Sequence, residues 1–453
     1  MEELIQFELS REFVERFQRA LDDRDQKFIL QSLEDVNPAD ISALLYEYNS
    51  EESKYVMGLL TLEVQAQIVN DLDSDTRVNF LKIYEPVEIT ALINLLNSDD
   101  AADILNEQPI KIREEILHGL EPELRGQVID LLRYEENVAG GLMAKELIKV
   151  RNNWTVVQCI DEIRKQAENV DKFYAVYVVD DNDKLLGRVS LKDLVLSDAR
   201  KVVSDIIEEE DVVSVETYLE DTQVADIMRK YDLESVPVVN VQGQLVGRIT
   251  IDDVVDVITE QAEEDRQLMS GISEDVEEDD SVWKNTRARL PWLLIGIFGG
   301  LLNAKFMGLF KGDIIEIAAI TFFTPLIQAT GGNVGIQSSS LIVQSLANPG
   351  FVQEGLWKRL SKVFLVAILN GVFLSVIALL ANFLLFPDEQ TLSIVVSMAL
   401  FSVVLFASFI GTVTPLILNR FGFNPALASG PFITTINDLL GLTIYFLTVH
   451  LLM

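Results

Sequence analysis

Between Pro291 and His450 the chain runs through five apolar stretches, about 291–310, 313–345, 359–386, 391–418 and 425–450. Each reaches the roughly 20 residues that a helix needs to cross a bilayer. So much apolar length predicts a polytopic α-helical membrane domain rather than one soluble globule. Inside the last stretch, NPALASGPFITTINDLLGLTIYF (Asn424–Phe446), stands one carboxylate, Asp438. An ionised acid is costly in hydrocarbon, so in a spanning segment it marks a pathway or a partner by default. The same segment has no Lys or Arg to neutralise it. The bland alternative is a protonated acid that only bonds a neighbouring helix.

Charge divides the 453 residues in two. From Thr286 onward there are 6 acids against 8 bases, whereas residues 1–285 hold 65 acids and 28 bases, a net charge of -37. Such an acidic half repels nucleic acid and anionic lipid and attracts small cations. The single Cys159 excludes an intrachain disulfide framework, and two histidines, His118 and His450, leave little for zinc or copper. Oxygen ligands remain. The opening MEELIQFELSREF lacks a positive region followed by an apolar run, so it is not a secretory signal and the acidic half is expected in the cytoplasm.

Residues 1 to about 135 show helical periodicity in short pieces such as PADISALLYEY, SDDAADIL and ELRGQVIDLL, separated by Pro, Asn, Asp and Ser that suit helix caps. Each short helix can bury only one stripe against the next, which predicts a superhelical stack. Beyond Tyr134, β-branched runs appear between helical stretches. YVVDDNDKLLGRVSLKDLV (177–195) matches PVVNVQGQLVGRITIDDVV (237–255) at a spacing of 60, with Gly187, Arg188 and Asp193 aligned to Gly247, Arg248 and Asp253. This internal duplication resembles a tandem pair of cystathionine-β-synthase (CBS) modules. The resemblance implies adenine-nucleotide (ATP) binding at Thr250 and Asp253; a purely structural hairpin is the alternative.

After Asp253 the helical pattern continues into a strongly acidic run, with Asp275, Glu277, Glu278 and Asp279 near its end. In the membrane half, six bases (Arg287, Arg289, Lys358, Arg359, Lys362, Arg420) fall in loops that five crossings place inside, and only Lys305 and Lys311 fall outside. That asymmetry puts the N-terminal half inside and the C-terminus outside. Pro325, Gly331, Gly332 and Gly335 in the second span, and Pro425, Gly430 and Pro431 in the last, predict two broken helices whose freed carbonyls would line water. Asn333, Gln337 and Asp438 add polar groups to those segments. A carboxylate, amides and carbonyls are hard oxygen groups that suit a still hydrated Mg²⁺, and two copies of Asp438 in a homodimer would face one ion. The residues alone support a cation pathway without singling out magnesium.

The order of an acidic helical N-domain, a CBS pair, an acidic connecting helix and five spans carrying GGNxGxQ and PALxSxPxxxTxxD closely resembles the MgtE family of magnesium channels. The resemblance implies a homodimeric, Mg²⁺-selective channel in the plasma (inner) membrane, driven by the membrane potential. Asp438 would recognise hydrated Mg²⁺, with Thr434 one turn away and backbone groups near Gly332, Asn333 and Gly335 completing the site. It further implies a cytosolic Mg²⁺ sensor at Asp99, Asp103, Asp232, Asp253, Asp256, Glu264 and Asp265 that holds the pore shut. Two positions depart from the family pattern: Gly430 stands where an Asn is expected, and Asn424 where some members carry an acid.

The expected fold is thus a five-helix polytopic membrane protein with a cytosolic all-α superhelical N-domain (1–135) and an α/β CBS pair (138–200 and 201–262). An acidic connecting helix (253–285) and a pore domain (286–453) follow. Without a phosphate loop or a nucleophile and base pair, no enzyme activity is expected. A membrane-anchored nucleotide sensor without transport, a carrier of Mn²⁺ or Co²⁺, and a CBS-regulated anion channel are the alternatives.

Overall fold

The computed structural model describes residues 9–166, 175–207, 212–274, 276, 280–316, 318–346, 356–387, 389–428 and 430–453, so that Asp275, Glu277, Glu278 and Asp279 of the acidic run lie outside the described residues. The chain forms two compact units, Met1–Ile258 and Thr259–Met453.

The first unit opens with a run of short helices, from 12 residues at Arg11–Asp22 to 8 at Gln26–Leu33. Polar residues between the apolar pieces become caps: the side chains of Ser10, Asp25, Asn37, Asn49, Thr61 and Asp73 each accept from a backbone N–H of the turn that follows. Pro38, Pro86 and Pro122 each begin a helix, where a missing N–H costs nothing. Helices this short are marginal in isolation, so packing must hold them. Pro38–Leu45 stacks on Leu62–Asp71, that helix on Pro86–Ile93, and that on Ile110–Gly119. The result is the expected superhelical stack. Its core runs without interruption from Phe17, Ile29 and Leu44 through Ile104 into Val224, Val236, Ile249 and Val254 of the second CBS half. The first CBS half keeps its own core around Val150, Cys159, Val178 and Val203.

The duplication is legible in the strands. β1 (Lys149–Arg151) runs parallel to β2 (Val176–Val179), which pairs antiparallel with β3 (Leu185–Val189). β4 (Val215–Glu216), β5 (Ser235–Val239) and β6 (Leu245–Thr250) repeat that order. The register slips at the same place in both hairpins, after Val178 and after Val238. Positive φ recurs at matching turn positions, Asp183 (φ 61°) and Gly243 (φ 79°). The two tips also bond each other: Leu185 N donates to Gly243 O (3.0 Å) and Leu245 N to Asp183 O (2.9 Å).

Among the described residues of the second unit five long helices follow: Val282–Met307, Thr324–Leu346, Leu356–Leu385, Gln390–Arg420 and Pro431–Leu452. Among the described residues four segments are long and apolar enough to span a membrane: Val282–Phe310, Leu360–Leu385, Gln390–Arg420 and Pro425–Leu452. Thr324–Leu346, the remaining long helix, is less apolar than these four. Its Gln, Thr, Asn and Ser residues lower the hydropathy, although 23 residues at 1.5 Å each give about 35 Å of length.

That helix is also unbroken. Pro325 sits in its first turn, where no N–H is needed, and Gly331, Gly332 and Gly335 lie within continuous helix. Glycine costs a helix only about 1 kcal/mol, and here the bare backbone is used for contact: a Cβ on Gly411 of the fourth long helix would stand 2.4 Å from Gly335 O. The last span is interrupted as expected, by a 3-10 turn at Pro425–Ala428 and by Gly430 (φ 55°) before Pro431. The connecting helix is shorter than expected. It covers Ile251–Met269 and stops at Gly271, whose φ of 80° turns the chain.

Gly411→Ala should therefore lower stability by about 1–3 kcal/mol, the usual cost of overpacking, because the colliding atom is backbone and cannot swing aside. Thermal denaturation of the purified protein in detergent would read this as a lowered midpoint; an unchanged midpoint would refute the close packing.

Candidate cation pathway and acidic cluster

The membrane site is built by Thr324–Leu346 and Pro431–Leu452, which pack along each other. A cavity of about 280 Å³ between them is lined by Pro325, Gln328, Ala329, Gly332, Asn333, Ile336, Thr434 and Asp438. Gly332 makes room for it: a Cβ there would stand 3.4 Å from Thr434 Cγ2 and 4.0 Å from Asp438 Oδ1. Thr434 Oγ1 donates to Gly430 O (2.9 Å), which turns its methyl toward Gly332. Neither a hydrogen bond nor an ion pair reaches the Asp438 carboxylate from any described residue. Asp438, Thr434, Gly332 and Asn333 all line this cavity. Gly335 does not join them. It faces the buried Asn437 side chain and the Gly411 backbone, so its role is packing. Gln337, exposed one turn beyond Asn333, does not line the cavity.

Sequence reasoning missed a second, larger space of about 610 Å³ against the same carboxylate. Gly296, Gly299, Gly300 and Asn303 of the first long helix line it, with Gln328, Thr434, Thr435 and Asp438 opposite. The signal was present in the IGIFGGLLNA run, which reads as lipid-facing until a neighbour is known.

The entrance to the last helix is closely held. A Cβ on Gly430 would meet Met269 O at 2.5 Å, and one on Gly271 would meet Pro431 Cγ at 2.7 Å. Gly430 combines a positive φ with that carbonyl, and the pairing leaves no room for the expected Asn. Asn424 Nδ2 donates to Asp265 Oδ1 (2.9 Å) while its Oδ1 accepts from Ala426 N (2.8 Å). At this position the connecting helix and the membrane domain are joined by a direct hydrogen bond, with no ion needed between two acids. Glu264, its neighbour, is exposed.

The cytosolic acids collect where two helix N-termini converge, Ser98–Asn106 and Ile251–Met269. Ser98, fully buried, donates through N and Oγ to Glu146 (3.2 and 2.8 Å), and Lys145 Nζ reaches Asp130 (2.6 Å) and Val246 O (3.1 Å). This lock holds Asp99 within electrostatic reach of Asp100, Asp253 and Glu146, and Asp100 within reach of Glu146 and Asp252, while Asp103 feels Asp100, Glu136 and Glu107. Burial and then repulsion by Asp100, Asp253 and Glu146 push Asp99 up, whereas burial raises Asp100 against the pull of an Asn70 hydrogen bond and of Arg77. Asp253 rises to about 6, burial outweighing its bonds with Thr250 N and Oγ1 (2.9 and 2.8 Å). Asp103 keeps one side open to solvent, yet desolvation on its other side pushes it up to about 7 against the pull of Arg77. Arg77 is itself held by Glu107, with Nε–Oε2 at 2.9 Å. Asp256, raised by burial and then by Asp252 and Asp71, extends the cluster.

Asp100, Glu146 and Asp252 were not anticipated; Asp100 adjoins Asp99 in sequence, and the other two are legible only once the helices meet. Asp232 stands apart, exposed in a left-handed conformation (φ 52°) that ends Asp221–Tyr231. Thr250 and Asp253 bond each other as a helix cap, as Ser190 and Asp193 do in the other half (2.5 Å). Among the described residues no three His, Cys, Asp or Glu side chains form a closed metal cage.

Comparison with known proteins follows the same division. Residues 324–448 match the MgtE family, described as divalent cation transporters, 36–137 the MgtE intracellular N domain, and 138–199 and 203–260 CBS domains. The chain is 34% identical over 449 residues to the magnesium transporter MgtE of Thermus thermophilus, covering 96% of this chain and 97% of that one. It is 33% identical over 328 residues to MgtE of Enterococcus faecalis, covering 72% and 71%. The solved cytosolic domain of the Mg²⁺ channel MgtE in complex with ATP aligns at a TM-score of 0.50 and 35% identity, over 53% of this chain and 98% of that one. The chain belongs to the MgtE family of divalent cation transporters.

The raised carboxyls fix a sign. An unfolded Asp titrates near 3.9, so the folded cluster binds protons more tightly. Its contribution to stability is complete below about pH 4 and is lost as pH rises through the values near 6 and 7 of Asp253 and Asp103. In metal-free buffer the melting midpoint should fall between pH 5 and pH 8, Asp103→Asn should flatten that fall, and millimolar Mg²⁺ should reverse it at pH 8. Calorimetry or intrinsic fluorescence reads all three; a midpoint that climbs with pH would contradict the repulsion.

Proposed function

We propose that this chain carries Mg²⁺ into the cell through the pathway at Asp438, and that cytosolic Mg²⁺ closes it. The observation that carries this reading is a carboxylate without a protein partner on a membrane-spanning helix, facing cavities of about 280 and 610 Å³. Six waters at about 30 Å³ each fill roughly 180 Å³, so an ion keeping its first hydration shell fits. Mg²⁺ sheds water reluctantly and is typically held through one or two carboxylates and retained waters. The magnesium transporters named above support the choice of ion. Two chains would place two Asp438 carboxylates around one ion, which makes a homodimer the functional unit. Five crossings, with Thr324–Leu346 shielded by its neighbours, would leave the N-terminal half in the cytoplasm and the C-terminus outside.

Closure follows from the acidic cluster. Two helix N-termini each favour anions, but acids on both repel one another, and a divalent ion bound between them stabilises the arrangement that brings them together by mass action. Ile251–Met269 carries Asp253 and Asp256 near its start and Asp265 about 18 Å further along, where Asn424 holds it. A shift of its first turns would therefore be felt at the entrance to the last helix. Adenine nucleotide at Thr250 and Asp253 would act on the same turn, in line with the ATP held by the solved cytosolic domain of a relative.

Asp438→Ala should abolish Mg²⁺ uptake into proteoliposomes while insertion is preserved. Undiminished uptake would sink the pathway, and a stronger competition by Mn²⁺ or Co²⁺ than by Mg²⁺ would reassign the ion. Replacing Asp99, Asp103, Asp253 and Asp256 together by Asn should leave the pore open at millimolar internal Mg²⁺ in patch recordings; normal closure would make them bystanders.

A further inference from the structure

The first long helix supplies an amide that no expectation included. Asn303 is 8% exposed, and its Oδ1 has no hydrogen-bond partner. A buried amide oxygen left unpaired is destabilising, and its flanks, Leu302 and Ala304, offer no polar alternative. Yet Asn303 lines the same 610 Å³ cavity as Asp438, Gln328 and Thr434.

The height of Asn303 follows from two contacts. A Cβ on Gly299 would touch Thr435 Cγ2 at 2.1 Å. Phe310 stacks on Phe446 with ring centroids 5.2 Å apart. These pairs share one residue offset, so the first and last long helices run parallel and in constant register, and Asn303 lies level with Asp438 and Leu439. Gly296, Gly299 and Gly300 keep that face of the helix bare below it, and the amide and the carboxylate line one cavity.

We infer that Asn303 is a second contact of the cation station, accepting from the water shell of the ion whose charge Asp438 balances. A carboxylate supplies charge but little geometry, whereas an amide oxygen level with it, lining the same cavity, selects for a shell of given radius. Asn303 is thereby a specificity-determining residue for hydrated divalent cations. The inference rests on the assignment of Asp438 as the ion contact.

The test uses the full chain in proteoliposomes, with Mg²⁺ uptake and its block by hexaamminecobalt(III), whose ammine shell cannot exchange and mimics a hydrated ion. Asn303→Leu, nearly isosteric, should reduce Mg²⁺ uptake about tenfold and weaken the block by a similar factor. Asn303→Asp should retain uptake, tighten the block, and narrow the preference for Mg²⁺ over Ca²⁺. Unchanged uptake and block in Asn303→Leu, with Asp438→Ala inactive, would overturn the role of Asn303 alone. Uptake that survives Asp438→Ala would overturn the station itself. Should Asn303→Leu fail to fold, Asn303→Asp decides, because a merely structural amide would leave block and selectivity where they were.

Discussion

Unpaired negative charge is the constraint on which both halves of this molecule depend. In the membrane unit Asp438 has no partner among the described residues, and hydrocarbon offers none. In the soluble unit Asp99, Asp100, Asp103 and Asp253 crowd together with Arg77 as the base within reach, and Arg77 is already held by Glu107. Each place is incomplete as protein alone. The hydrated divalent cation proposed above would complete both.

Packing makes those two places possible. Ser98, Glu146 and Lys145 lock the helical stack to the second CBS half, and the shared core from Phe17 to Val254 makes that lock rigid. Acids that would drift apart in water are therefore held close. In the membrane unit the glycines do the corresponding work. Gly335 against Gly411 draws two helices together, Gly299 admits Thr435, and Gly332 leaves the Asp438 carboxylate uncovered.

The join between the connecting helix and the last helix shows how a departure from a family pattern can be local chemistry. Gly430 is required by its φ of 55° and by the approach of Met269 O. Asn424 completes a hydrogen bond to Asp265 where two acids would have required a cation. Neither feature could be judged from the residue alone, because each depends on what the chain some 160 residues earlier brings against it.

Hydropathy, the 60-residue duplication and capping residues fixed the class of each region, since these signals are local and repeat with the period of a helix or strand. Asp438 and Asn333 were legible as polar groups in apolar segments, whereas Thr434 and Gly332 came from the resemblance to the MgtE family. The sequence could not tell a broken helix from a continuous one at Gly331 to Gly335, because neighbouring helices rather than propensity decide it. Nor could it name Asp100, Glu146, Asp252 or Asn303. Their importance lies in a partner far away in the chain, and only the tertiary structure sets which charges face each other and which amide is left without a bond.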